Sequence, residues 1–92
     1  MRRVHLVVRG KVQGVGYRYS MQRRAADLGV VGWVRNRRDG SVEAEIEGTD
    51  QQVEAILAWA EQGPPMAHVD AVTVTEVDPT GESGGFDTRS TH

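Results

Sequence analysis

No cysteine occurs among the 92 residues. That absence excludes disulfides, thiolate nucleophiles, iron–sulfur clusters and cysteine-based zinc sites, and makes a cytoplasmic protein the default expectation. Long apolar runs are missing too. No stretch approaches the roughly 20 residues that cross a bilayer, and the opening Met1-Arg2-Arg3-Val4-His5 lacks the apolar segment of a signal peptide. His5, His68 and His92 show no metal-ligand spacing, so no metal is expected. The few aromatics, Tyr17, Tyr19, Trp33, Trp59 and Phe86, do not form the paired pattern that stacks RNA bases on a sheet, and they read as core or half-core residues. Repeats and low-complexity tracts are absent. The length allows one domain, residues 1–92. Such a domain buries only about 60–65% of the surface of its unfolded chain, which leaves no room for a large internal cofactor pocket. No cofactor is expected.

Charge is present in both signs but unevenly placed. Residues 1–38 hold ten of the eleven Lys and Arg against one acid, Asp27, a local balance of +9. Residues 39–92 hold Arg89 against twelve acids, a balance of -11. In one domain these are faces or ends of a single surface. They either pair with each other or leave a basic rim that gathers an anion.

Val4, Leu6 and Val8 alternate with His5, Val7 and Arg9, which predicts a first strand. A glycine-rich turn, Gly10 to Gly16, follows. Tyr17, Met21, Ala25 and Leu28 recur at helical spacing, with Gly29 as the stop. Val30 to Arg37 predicts a second strand, Asp39-Gly40 a tight hairpin, and Val42 to Glu47 a third strand with Glu43, Glu45 and Glu47 in water. Thr49 and Gln52 form a capping box for a second helix striped by Val53, Ile56, Leu57 and Ala60, ended by Gly63 and Pro64-Pro65. Val69 to Val77 predicts a fourth strand of irregular parity, explained by a bulge or an edge position. The order βαββαβ is the α+β, ferredoxin-like split β-α-β sandwich, with two helices on one face of an antiparallel sheet. Phe86 is the candidate anchor of a short extra C-terminal strand.

In that fold the first and second strands run parallel, so the glycine loop and Asn36 share one end of the sheet. Glycines permit close backbone approach, helix-start amides attract anions, and an arginine in the first turn can grip two phosphate oxygens. Gly10, Gly14, Gly16 and Arg18 carry that reading; the alternative is an ordinary tight turn followed by an exposed arginine. The loop is neither a Walker A nor a GxGxxG segment. A literal GxSxG, Gly81-Glu82-Ser83-Gly84-Gly85, lies in a polar stretch without the strand and helix that a nucleophile elbow requires.

Gly10-Lys11-Val12-Gln13-Gly14-Val15-Gly16-Tyr17-Arg18, Gly32-Trp33-Val34-Arg35-Asn36 and Asp39-Gly40-Ser41-Val42-Glu43 together closely resemble the acylphosphatase family. The likeness spans nearly the whole chain. It implies a metal-independent hydrolase that cleaves the carboxyl–phosphate bond of acyl phosphates without a phosphoenzyme. It further implies that the loop formed by Gly10, Lys11, Val12, Gln13, Gly14, Val15, Gly16 and Tyr17 wraps the phosphoryl group, that Arg18 binds it, and that Asn36 positions the attacking water. Tyr17 replaces a common phenylalanine, a swap expected to keep the packing if its hydroxyl reaches solvent. Related domains form part of larger maturation enzymes, but the absence of a linker favours a free enzyme. The expected partners are a small acyl phosphate and, as competitive ligands, inorganic phosphate or sulfate. Neither nucleic acid nor membrane is expected, and the expected state is a monomer.

Overall fold

Alternation decides which side of each strand faces the helices. Val4, Leu6 and Val8 of β1 (Arg2–Lys11) and Val42, Ala44 and Ile46 of β3 (Val42–Gly48) are fully buried and pair directly across the sheet. The computed structural model describes residues 1–92. The remaining elements are α1 (Tyr17–Leu28), β2 (Val31–Asn36), α2 (Asp50–Ala60), β4 (His68–Val77) and β5 (Phe86–Thr88). Met21 and Ala25 of α1 and Val53, Ile56 and Ala60 of α2 bring their apolar stripes onto this face. The capping box at Thr49 and Gln52 is formed on both sides. Gln52 also donates to the Leu28 carbonyl, at 2.9 Å, tying the start of α2 to the end of α1.

The sheet order is β4-β1-β3-β2-β5. The first four strands pair antiparallel, but β5 pairs parallel with β2, making the sheet mixed rather than wholly antiparallel. The path of the tail explains this. β4 ends beside the start of β1, where Val77 faces Arg3, and residues 78–85 cross to the start of β2, where Phe86 faces Gly32. A strand entering there can only run alongside β2 in the same direction.

The parity of β4 has two causes, since it is an edge strand and it is bulged. Its register on β1 shifts between Arg9 and Gly10, so that Asp70 is the extra residue. Val69 and Val72, three residues apart, thereby both pack on the core. Gly10 is the glycine this bulge demands: its φ is 129°, and a Cβ there would collide with the His68 carbonyl.

The glutamate row is not solvated, contrary to the alternation-based expectation. Glu47 is 1% exposed. Its carboxylate accepts from the Thr80 amide at 2.7 Å, the Gly81 amide at 2.9 Å and Arg3 Nη1 at 3.2 Å. Arg3 also bonds Glu45 at 2.7 Å and Glu82 at 2.5 Å. The crossing segment that carries the GxSxG pentapeptide is thus strapped to the sheet by the Glu47 carboxylate and by Arg3. On the same face His5 and Arg35 meet Glu43, each at 2.7 Å, and the guanidinium groups of Arg35 and Arg89 each lie over the Trp33 ring, 4.7 Å from its centre.

These bonds, the Thr80 amide foremost and then Arg3, hold the Glu47 carboxyl below the ordinary glutamate range although burial pushes it upward. A carboxyl whose pKa is depressed by folding stabilises the folded state above its unfolded pKa of about 4.3, and that contribution is lost as pH falls through the folded value. Glu47→Gln is therefore expected to lower the denaturation midpoint at pH 7, with the gap to the parent narrowing as pH drops below about 4. A gap that stays constant from neutral to acid pH would show that the carboxylate charge is not what holds the strap.

Candidate active site

β1 and β2 both run antiparallel to β3, so their C-terminal ends emerge at the same end of the sheet. A cleft of about 330 Å³ opens there, between the β1–α1 loop, the first turns of α1, the end of β2 and β5. This size falls within the range of small-molecule sites. Val12, Gly14, Gly16, Arg18 and Asn36 line it together.

The loop is shorter than the glycine spacing suggested. Gly10 and Lys11 belong to β1 and pair with β4, so the turn proper is residues 12–16. Gln13 faces away from the cleft, its Nε2 donating to the Arg37 carbonyl at 2.7 Å and the Ser41 carbonyl at 2.9 Å. It fastens the loop to the β2–β3 hairpin. Val15 packs on the core. Gly14 and Gly16 hold φ values of 74° and 79°, left-handed conformations that only glycine adopts cheaply. Gly16 is also the N-cap of α1 and supplies no side-chain cap. In consequence the backbone N–H groups of residues 13–19 have no protein acceptor. A run of free amides at a helix start presents a concentrated positive potential.

Tyr17 is 1% exposed and its hydroxyl does not reach solvent, correcting the condition attached to it. It donates to the Ala60 carbonyl at 2.7 Å, satisfying one of the orphan acceptors at the end of α2, while its ring lies 5.2 Å from that of Trp59. Burial pushes its phenol far above the ordinary range, so it stays neutral. The residue braces α1 against α2 and also lines the cleft.

Arg18 is half-buried and has no carboxylate partner. The charge asymmetry is resolved in the same way along the sheet. Arg2 and Arg3, at one end, pair with Glu54, Glu76, Glu45, Glu47 and Glu82. Arg9, Lys11, Arg18, Arg37 and Arg38, at the cleft end, make no ion pair. Acids and bases thus pair at one end, while the cleft end keeps unpaired basic residues. No Asp, Glu, His or Lys lines the cleft.

Asn36 closes β2 on the helix-covered face, opposite Val42. Its main-chain carbonyl accepts from His92 N–H at 3.0 Å. Its side-chain Oδ1 is buried and without any hydrogen-bond partner, the single such side-chain atom in the molecule. An unpaired buried acceptor costs about 1–3 kcal/mol, so its retention at a cleft asks for an explanation. Three further residues line the cleft that the glycine and arginine pattern did not point to: Tyr19, Gln22 and Thr88. Gln22 lies one turn beyond Arg18 on the same helix face, a spacing visible in the sequence. Thr88 reaches the cleft only through the pairing of β5 with β2.

The sequence profile of the acylphosphatase family matches residues 4–88. The chain belongs to the acylphosphatase family. It is 56% identical over 90 residues to an acylphosphatase of Thiobacillus denitrificans, the match covering 98% of this chain and 99% of that one. It is likewise 56% identical over 82 residues to an acylphosphatase of Thermococcus kodakarensis, covering 89% and 90% of the two chains. The fold is similar to the crystal structure of acylphosphatase from Bacillus subtilis, with a TM-score of 0.92 at 34% identity, covering 97% of this chain and 99% of that one. The added β5 and the mixed sheet are thus part of an acylphosphatase architecture. No helix is long and apolar enough to cross a membrane.

Proposed function

We propose that this acylphosphatase hydrolyses the carboxyl–phosphate bond of small acyl phosphates by direct attack of a positioned water. The phosphoryl oxygens lie against the free amides of residues 13–16 and the first turn of α1, with Arg18 supplying a planar two-pronged donor. Asn36 Oδ1 accepts a hydrogen bond from the attacking water. The water oxygen bonds to phosphorus as the phosphorus–oxygen bond to the acyl group breaks. The leaving carboxylate departs as an anion with the electron pair, and the water proton is released to phosphate or solvent. A carboxylate is a good leaving group, so the barrier falls mainly through positioning and charge stabilisation. A cleft lined by no Asp, Glu, His or Lys is consistent with chemistry that needs no titrating base.

The observation that carries the reading is Asn36 Oδ1, a buried acceptor with no protein donor, in the same cleft as an unpaired Arg18. The test is hydrolysis of benzoyl phosphate by the purified protein in excess EDTA. Full turnover in the chelator is expected, with inorganic phosphate or sulfate inhibiting competitively. An inactive protein would remove the hydrolase reading, activity abolished by EDTA would remove its metal independence, and non-competitive inhibition would move the anion site away from the loop. We further propose that the protein works as a monomer in the cytoplasm.

A further inference from the structure

The residues assigned to the phosphoryl group and to water do not account for the whole cleft. The turn glycines and Arg18 face the phosphate, Asn36 faces the nucleophile, and Val12 and Tyr17 are buried backing. Tyr19, Gln22 and Thr88 remain. They are contiguous: Thr88 Oγ1 donates to Gln22 Oε1 at 3.0 Å, and Gln22 Nε2 donates to the Phe86 carbonyl at 3.3 Å. Both ends of the Gln22 amide are thereby engaged, which fixes that side chain as a wall between α1 and β5.

Tyr19 differs from its neighbours in kind. Four large apolar side chains are exposed, Met1, Tyr19, Met66 and Val74, and only Tyr19 borders the cleft. It is 64% exposed, so the core does not need it. The Arg23 guanidinium lies 5.9 Å from its ring centre and restrains the ring against α1. Val12 and Tyr17 are buried behind the cleft, so the exposed aromatic ring at its edge is that of Tyr19, a surface for the part of the substrate that is not phosphate.

We infer that Tyr19 is the acyl-specificity residue, contacting the acyl group of the bound acyl phosphate and favouring broad, apolar acyl groups over acetyl, with the Gln22–Thr88 pair as the wall that directs the acyl group toward it. This rests on the phosphoryl reading above, because the acyl group reaches Tyr19 only if the phosphate sits on the turn beside Arg18. An aromatic contact of this kind is worth about 0.5–1.5 kcal/mol, up to roughly tenfold in selectivity.

The experiment compares kcat/KM for benzoyl phosphate and acetyl phosphate in the parent, Tyr19→Ala and Tyr19→Phe, with inhibition by inorganic phosphate measured in each. Tyr19→Ala is expected to lose several-fold, up to about ten times, more on benzoyl than on acetyl phosphate, while Tyr19→Phe keeps the parent ratio. The inhibition constant for phosphate, which carries no acyl group, is expected to shift less than about twofold. Equal losses on both substrates in Tyr19→Ala, or an unchanged ratio, would overturn the assignment. Failure of the underlying reading looks different: the parent would hydrolyse neither substrate, or Arg18→Ala would bind phosphate as the parent does.

Discussion

Arg18→Ala is expected to lower kcat/KM for acyl phosphates by at least about 10²–10³, the equivalent of roughly 3–4 kcal/mol for the loss of one preorganised donor. The guanidinium lies in the cleft without a carboxylate to neutralise it, so its charge is available to the ligand. It meets phosphoryl oxygens in the ground state and in the transition state alike. Binding and turnover should therefore both suffer, and inhibition by phosphate should weaken in parallel. Arg18→Lys should rescue poorly, because an ammonium cannot present the planar fork. The check is steady-state kinetics with phosphate inhibition on all three proteins. Activity within about threefold of the parent in either variant would take Arg18 out of the mechanism, since a bidentate contact cannot be that weak.

The second large effect is expected at Asn36, with a different signature. A neutral amide adds no charge to hold the phosphate, so Asn36→Ala should lower kcat by about 10² or more while the inhibition constant for phosphate hardly moves. Asn36→Asp should also fail, because a carboxylate would repel the phosphoryl anion at short range. Stability supplies an independent readout. Oδ1 is buried without a donor, so removing it deletes an uncompensated desolvation cost. Asn36→Ala should melt at or above the parent temperature while losing turnover. That combination separates a functional asparagine from one that merely ends a strand: a strand-ending residue would lower the melting temperature and leave kcat alone. Loss of phosphate inhibition in step with kcat would place Asn36 on the phosphate instead of the water.

These two residues stand 18 positions apart in the chain yet line one cleft, and much of that was legible beforehand. The alternation of Val4, Leu6 and Val8, the helical spacing of Tyr17, Met21 and Ala25, and the Thr49–Gln52 cap are signals written over a few neighbouring residues. So is the Asp39-Gly40 turn, where Asp39 Oδ1 accepts from the Ser41 amide at 2.9 Å. Once those signals yield the order βαββαβ, parallel alignment of β1 and β2 follows from the topology, and the loop and Asn36 come to one end of the sheet. The boundaries were less secure. Gly10 read as the first loop glycine, but its place is in β1, where the β4 bulge leaves no room for a Cβ. Gln13 belongs to the loop by its backbone, while its side-chain amide is taken by two hairpin carbonyls, a tie that no local pattern announced.

Local chain chemistry by itself determined the element order, the positive-φ turn at Gly14 and Gly16 leading into α1, and the core-facing side of β1, β2 and β3, though not of the bulged β4. These depend on spacing, φ preference and capping, which act within one or two turns of chain. Only the tertiary structure decided the burial of Glu47, the orphaned state of Asn36 Oδ1 and the arrival of Thr88 beside Gln22. Alternation places Glu47 on the outer face, but whether that face is wet depends on residues 78–85 crossing it and donating two amides. Thr88 faces the cleft because that crossing delivers β5 parallel to β2 in one particular register, Val34 opposite Thr88. A hydrogen-bond partner found or missing some tens of residues away is a property of the assembled register, and no local pattern encodes it.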